Sequence, residues 1–251
     1  MKPKVAFFDF ACCEGCQLQI ANLEEEILGL VNLVDVVEFR EVLTGKAPEY
    51  DIAFIEGSIT RPEDEARVKD IRSRSKLLGA FGACAAIGGV NKLKNIQPQG
   101  LDDVRKEVYG DDWNAPHLDT YPTKAVYEVV KVDFTVPGCP INRQEFLEMV
   151  KALVRGITPA LPEYPVCVEC KRNETVCLYH KGQVCMGPVA RAGCNAICPG
   201  NNSPCEGCRG PVPNPNVNAM HEVLKENKLT VQEVAGMFSV YAFDAEVKNE
   251  K

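Results

Sequence analysis

Twelve of the thirteen cysteines in this 251-residue chain fall into three consecutive groups of four, with one left over. Cys167, Cys170, Cys177, Cys185, Cys194, Cys198, Cys205 and Cys208 crowd into one Pro- and Gly-rich stretch, whereas the CxxC of Cys13 and Cys16 lies far from Cys84 and Cys139. Four thiolates are the donor set of a tetrahedral zinc site or of an iron-sulfur cluster. The count suits three iron-sulfur clusters on one polypeptide, and structural zinc is the competing chemistry. In the crowded tract the gaps after Cys170, Cys177 and Cys185 are six, seven and eight residues, unlike the paired knuckles of zinc ribbons. Cys198-Pro199 matches the Cys-Pro ending of ferredoxin-type runs. A crowded tract can be a self-contained metal module, but cysteines as dispersed as the first four can share a site only if a fold gathers them.

The pattern that must gather them is an alternation of strands and helices over the first part of the chain. Lys4 to Phe10 is a near-continuous apolar run, as a parallel strand buried on both faces requires. Gln17 to Val31 then carries Leu18, Leu23, Ile27 and Leu30 at helical spacing. Val34–Phe39, Asp51–Ile55, Leu77–Gly82 and the alternating Val129–Val136 read as further strands, and Arg61–Ser75 and Gln144–Val154 as helices. This predicts an α/β fold, a flavodoxin-like doubly wound parallel sheet. Cys13, Cys16, Cys84 and Cys139 each follow a predicted strand, where an open α/β sheet gathers its ligands. The neighbours in Gly82-Ala83-Cys84 and Pro137-Gly138-Cys139-Pro140 let backbone approach a bulky inorganic core.

From Pro162 to Pro215 prolines and glycines interrupt every helix and aliphatic residues are sparse, so the metal centres are expected to serve as this part's core. The expected division is 1–160 for the flavodoxin-like domain, 161–215 for a small cysteine-rich domain with little regular structure, and 216–251 for a helical tail, with periodicity over Met220–Tyr241 and a T-x-x-E start at Thr230 and Glu233. A net charge of −7 argues against nucleic acid as a partner. The chain shows no leader and no apolar stretch long enough to span a bilayer, so it is expected in the cytoplasm, where thiols stay reduced and ligate metals rather than form disulfides.

Cys13-Glu14-Gly15-Cys16, Glu56-Gly57-Ser58, Gly82-Ala83-Cys84 with Gly88-Gly89, Pro137-Gly138-Cys139-Pro140, Cys185-Met186-Gly187-Pro188, Arg191-Ala192-Gly193-Cys194 and Pro204-Cys205-Glu206-Gly207-Cys208-Arg209-Gly210-Pro211 follow one another in this order. Together they resemble the small, electron-transfer subunit of nickel-iron hydrogenases, in its cytoplasmic multimeric branch, over about the first 211 residues. The resemblance implies three 4Fe-4S clusters: proximal on Cys13, Cys16, Cys84 and Cys139, distal on Cys167, Cys170, Cys177 and Cys185, and medial on Cys194, Cys198, Cys205 and Cys208. It implies as partners a nickel-iron large subunit, which carries the catalytic metal, and a flavin or iron-sulfur acceptor subunit. Many periplasmic relatives have a histidine and a proline where Cys167 and Cys198 stand here. Three all-cysteine clusters favour low potentials, suited to nicotinamide, flavin or ferredoxin acceptors.

The tandem Cys12-Cys13 resembles the related complex I subunit, in which neighbouring cysteines both ligate, so Cys12 is either left beside the proximal site or part of it. Glu14 and Glu56 are candidates for relaying protons toward a catalytic subunit, or are solvated loop carboxylates. His180 is expected at the surface, Glu24–Glu26 on the wet face of the first helix, and 91–124, with Trp113, in a long excursion suited to a partner. No catalytic residue is expected on this chain. Two other readings stand beside the hydrogenase one: a complex I-like or ferredoxin-type carrier, and a zinc-stabilised interaction module.

Overall fold

The computed structural model describes residues 2–97, 99–228 and 240–241. Five strands, β1 (Lys4–Asp9), β2 (Asp35–Phe39), β3 (Tyr50–Glu56), β4 (Ser75–Phe81) and β5 (Phe134–Val136), form one sheet in the order β2-β1-β3-β4-β5. Every pairing is parallel. This is the flavodoxin-like order, with its topological switch between β1 and β3.

Both faces are covered. On one, α1 (Gly15–Ala21), α2 (Glu26–Leu33) and α6 (Arg143–Val154) bury Ile20, Leu30, Phe146 and Val150 against Phe7, Phe54 and Phe81. On the other, α3 (Pro62–Ser73) buries Val68 and Ile71 against Phe8, Ile55 and Leu78. Pro62 opens α3 where a missing N–H costs nothing, and Glu63, Asp64 and Glu65 complement the helix dipole in its first turn. Phe54 is fully buried at the centre of a ring cluster, stacked on Phe7 at 4.9 Å and edge-on to Phe81 and Phe134 at 5.6 and 5.4 Å.

Three sequence expectations are corrected. Gln17–Val31 is two helices, because Arg143 Nη1 takes the Asn22 carbonyl at 2.9 Å and Glu24 turns left-handed (φ 53°). Glu24–Glu26 are therefore the exposed corner between α1 and α2 rather than one helix face. Of Val129–Val136 only Phe134–Val136 is strand: Asp133 reaches β4 with its carboxylate, accepting from the Leu78 N–H at 2.9 Å, so the ladder starts after it. The third concerns the cysteine tract, which does have an apolar core. Val166 on α7 (Val166–Arg172), Tyr179, Met186 and Val189 pack with Met220 and Leu224 of α8 (Val217–Glu226) and with Tyr241. The amphipathic tail supplies the aliphatic surface that the tract lacks. The Thr230–Glu233 start lies outside the described residues.

The excursion after β4 consists of α4 (Gly82–Ile87), a 3-10 stretch over Gly89–Ile96, α5 (Leu101–Tyr109) and short 3-10 turns. Among the described residues no helix is long and apolar enough to cross a membrane. Phe54→Ala is expected to cost about 3–5 kcal/mol of stability, read as a lower midpoint in anaerobic chemical unfolding; a loss under about 1 kcal/mol would show that the ring cluster is not the centre of this core.

Candidate metal centre

Four loops leave the carboxyl edge of the sheet and converge. After β1, Phe10 donates its N–H to the Glu56 carbonyl at 2.8 Å, and Ala11 and Ser58 exchange backbone bonds at 3.2 and 3.0 Å. Gly57 (φ 98°) permits this, since a Cβ there would stand 2.7 Å from the Phe10 carbonyl carbon. After β4 and β5, the Ala83 N–H donates to the Gly138 carbonyl at 2.7 Å. The result is a cavity of about 70 Å³ lined by Cys13, Cys16, Cys84 and Cys139 together with Gly15, Glu56, Phe81, Gly82, Ala83, Gly138 and Pro140. Three of the thiols sit against glycines: a Cβ on Gly82 would overlap Cys16 Sγ, and Cβ atoms on Gly15 and Gly89 would stand 3.3 and 3.0 Å from the sulfurs of Cys13 and Cys84.

The carboxylate of Glu56 braces the CxxC. It is 2% exposed, and its two oxygens accept the N–H groups of Cys16 and Gln17, both at 3.0 Å. Burial pushes its pKa up, and those two amides work against the rise. Glu14 turns elsewhere: left-handed at φ 59°, it is raised in pKa chiefly by a hydrogen bond with Glu41, with burial second. Cys12 lies beside the cavity, near Glu56 and Cys84, and burial is the main cause pushing its thiol up to about 12.

In the tract the eight thiols form one continuous neighbourhood, in which Cys185 lies near Cys167, Cys170 and Cys177 and also beside Cys205. Around Cys167 the nearest like charges are Cys185, Cys170 and Cys177, and a Cβ on Gly187 would stand 3.2 and 3.4 Å from the sulfurs of Cys167 and Cys185. Cys194, Cys198, Cys205 and Cys208 line one larger cavity of about 640 Å³, which Cys139 and Tyr241 also border. All thirteen cysteines are free thiols. Burial raises Cys167, Cys84 and Cys208 to about 12 and Cys170 to about 11, and neighbouring thiols add to it. His180 is exposed, as expected.

The sets touch through their own backbone. The Cys205 N–H donates to Cys185 Sγ at 3.3 Å, and the Cys139 N–H donates to Cys208 Sγ. Two charged groups not singled out from the sequence hold the loops in place. Glu169, inside the second CxxC and 7% exposed, accepts from the N–H groups of Gly193 and Ala196 at 2.8 and 2.9 Å, on either side of Cys194. Arg209 forks onto the Glu145 carboxylate at 2.6 and 2.7 Å and donates to the carbonyls of Ala192 and Pro137. The repeat of an acid between paired cysteines, Glu14 in the first CxxC and Glu169 in the second, was a signal for the latter. Nothing in the sequence pairs Arg209 with Glu145.

The profile of the NADH ubiquinone oxidoreductase, 20 Kd subunit, matches residues 13–153, which takes in α1 through α6 and all four thiols of the small cavity. The chain belongs to that family. Its relatives include the sulfhydrogenase 2 subunit delta of Pyrococcus furiosus, 36% identical over 95% of this chain and 99% of the relative. An F420-non-reducing hydrogenase subunit of Methanocaldococcus jannaschii is 32% identical over 82% of this chain and 81% of the relative. Among solved structures, a chain of an NAD+-reducing nickel-iron hydrogenase in the H2-reduced state superposes with a TM-score of 0.58 at 26% identity, covering 64% of this chain and 96% of that one.

Two glycines give opposite expectations. Gly82→Ala, strained at φ 83° and overlapping Cys16 Sγ, should destabilise the protein by about 1–3 kcal/mol. Gly29→Ala, with open space around its Cβ inside α2, should stabilise it by about 0.5–1 kcal/mol. Thermal unfolding of the two variants checks both signs.

Proposed function

We propose that this chain is the electron-relay subunit of a nickel-iron hydrogenase, holding three 4Fe-4S clusters between a partner large subunit with the nickel-iron site and a flavin or iron-sulfur acceptor subunit. The observation that carries the reading is the convergence of Cys13, Cys16, Cys84 and Cys139, from three loops, on one small cavity. Cys167, Cys170, Cys177 and Cys185 would hold a distal cluster, and Cys194, Cys198, Cys205 and Cys208 a medial one. When bound, the clusters supply one-electron carriage at low potential.

The residues present fit such groups. Glycines lie against sulfurs both at the small cavity and in the tract, leaving room that any side chain would fill. Buried thiols with raised pKa values stay protonated unless a cation offsets their charge, and a metal core does that outright. Names of relatives point the same way: both reported relatives are hydrogenase subunits.

The chain's own atoms would do three things. Glu56 and Glu169 fix the ligand loops by accepting their amides. Backbone N–H groups of Cys139 and Cys205 link ligands of neighbouring sites in the order proximal, medial, distal. Glu56, at the wall of the small cavity, and Glu14, beside Glu41, remain candidates for proton relay to the partner. The division at 160 and 215 follows the same reading, as does a cytoplasmic location, where thirteen free thiols stay reduced.

Iron and acid-labile sulfide analysis of the anaerobically purified complex should give on the order of twelve iron atoms from this chain; about three zincs without labile sulfide would instead make it a zinc-stabilised module. Cys12→Ser should retain the proximal cluster's spectroscopic signal and Cys16→Ser should lose it, the reverse result favouring tandem ligation by Cys12 and Cys13. In Cys170→Ser, exchange between H2 and solvent protons should persist while reduction of the acceptor falls steeply, provided the other two clusters survive. Unchanged acceptor reduction in that variant would mean that electrons leave elsewhere.

A further inference from the structure

Among the described residues three charged side chains are buried: Glu56, Glu169 and Arg209. The two acids accept backbone amides of ligand loops, and only Arg209 brings positive charge inside. It follows Cys208 directly, and its side chain is 2% exposed against 17% for that of Glu145. Nε donates to the Ala192 carbonyl at 2.8 Å, Nη1 to the Pro137 carbonyl at 2.9 Å, and Nη1 and Nη2 to Glu145 at 2.7 and 2.6 Å. Ala192 stands two residues before Cys194, and Pro137 two before Cys139. A Cβ on Gly193 would overlap Nη2, so the guanidinium is packed directly under the Cys194 loop. Burial opposes its charge, but a guanidinium stays protonated, and Glu145 is its counter-ion.

Held on several sides, this cation cannot swing away when electrons arrive. Its charge acts in a medium less screening than water, so it bears on nearby redox groups more strongly than an exposed charge would. A fixed positive charge stabilises the more negative, reduced state of an iron-sulfur group, and charge is one of the levers on such potentials. The nearest set of thiols is Cys194, Cys198, Cys205 and Cys208, and Glu145 is the counter-charge that limits the effect.

We propose that the ion pair of buried Arg209 and partly exposed Glu145 sets the reduction potential of the medial site, Arg209 raising it and Glu145 holding that rise in check. The proposal rests on the electron-relay reading above. Arg209 is thus a positioning residue whose charge, as well as its fork, is used; a lysine could not engage Glu145 and two carbonyls at once.

The test is a redox titration of the complex, following the paramagnetic signal of each cluster, in Glu145→Gln and Arg209→Gln. Glu145→Gln leaves Arg209 tied to Ala192 and Pro137 with its charge less compensated, so the medial potential should rise. Arg209→Gln leaves the carboxylate alone, so it should fall. Each change should be about tenfold in the ratio of reduced to oxidised cluster at fixed potential, or about 59 mV for a one-electron couple, with the distal site unmoved. Both variants break the same ion pair, so a merely structural role would move the medial site in one direction for both. Shifts of the same sign, equal shifts at all sites, or none would overturn the proposal. If Arg209→Gln loses iron, Glu145→Gln decides alone: full iron without a rise rejects it. Iron and labile sulfide in the parent complex separate the two levels. Their absence removes the relay reading and the proposal with it, whereas full clusters with unmoved potentials remove only the role of the pair.

Discussion

The constraint on which the structure depends is the cost of bringing sulfur atoms together out of water. A buried thiolate loses solvation, and several in one place repel one another. The protein answers chiefly with dipoles: N–H groups of Cys139, Cys205 and Gly187 point at the sulfurs of Cys208, Cys185 and Cys185. Carboxylates accept amides of the ligand loops, and two of them also accept from a thiol: Glu169 Oε2 from Cys194 Sγ at 4.0 Å, and Glu56 from Cys16. This leaves the thiols short of positive charge.

The sheet turns that constraint into geometry. A parallel sheet ends all its strands on one edge, so the loops after β1, β3, β4 and β5 crowd around the same cavity of about 70 Å³. They pack without side chains between them because Gly57, Gly82 and Gly138 adopt positive φ there (98°, 83° and 136°). The cysteine tract lies against this edge, and the four-way engagement of Arg209 joins the loop of Cys139, the loop of Cys194 and the N-terminal turn of α6, whose Asn142 cap accepts the Glu145 N–H at 3.0 Å. One side chain therefore ties sheet, helix and tract.

Much of this was legible in the sequence. Lys4–Phe10 and Leu77–Gly82 announce buried parallel strands by their unbroken apolar character, and a cysteine just past each gives the edge at which they meet. Other features depend on partners distant in sequence and leave no local trace. Arg143 ending α1 through the Asn22 carbonyl, Asp133 replacing a ladder bond with its side chain, and Arg209 finding Glu145 are all of this kind. The β-branched run before Phe134 reads as strand because Val129, Val130 and Val132 are half-buried, but they pack on the face covered by α3 instead of pairing.

Bonds between one site's ligand and the next also bear on how the molecule is made. Cys13, Cys16 and Cys84 leave the ribosome long before Cys208, the thiol to which the Cys139 amide donates, and Tyr241, which hydrogen-bonds Cys139, comes later still. Domains begin to fold as they emerge, so the first sheet is formed while its metal-facing edge still lacks the chain that will cover it. Under the reading proposed above, that interval would be a window for loading, before Cys208 and Tyr241 arrive beside Cys139.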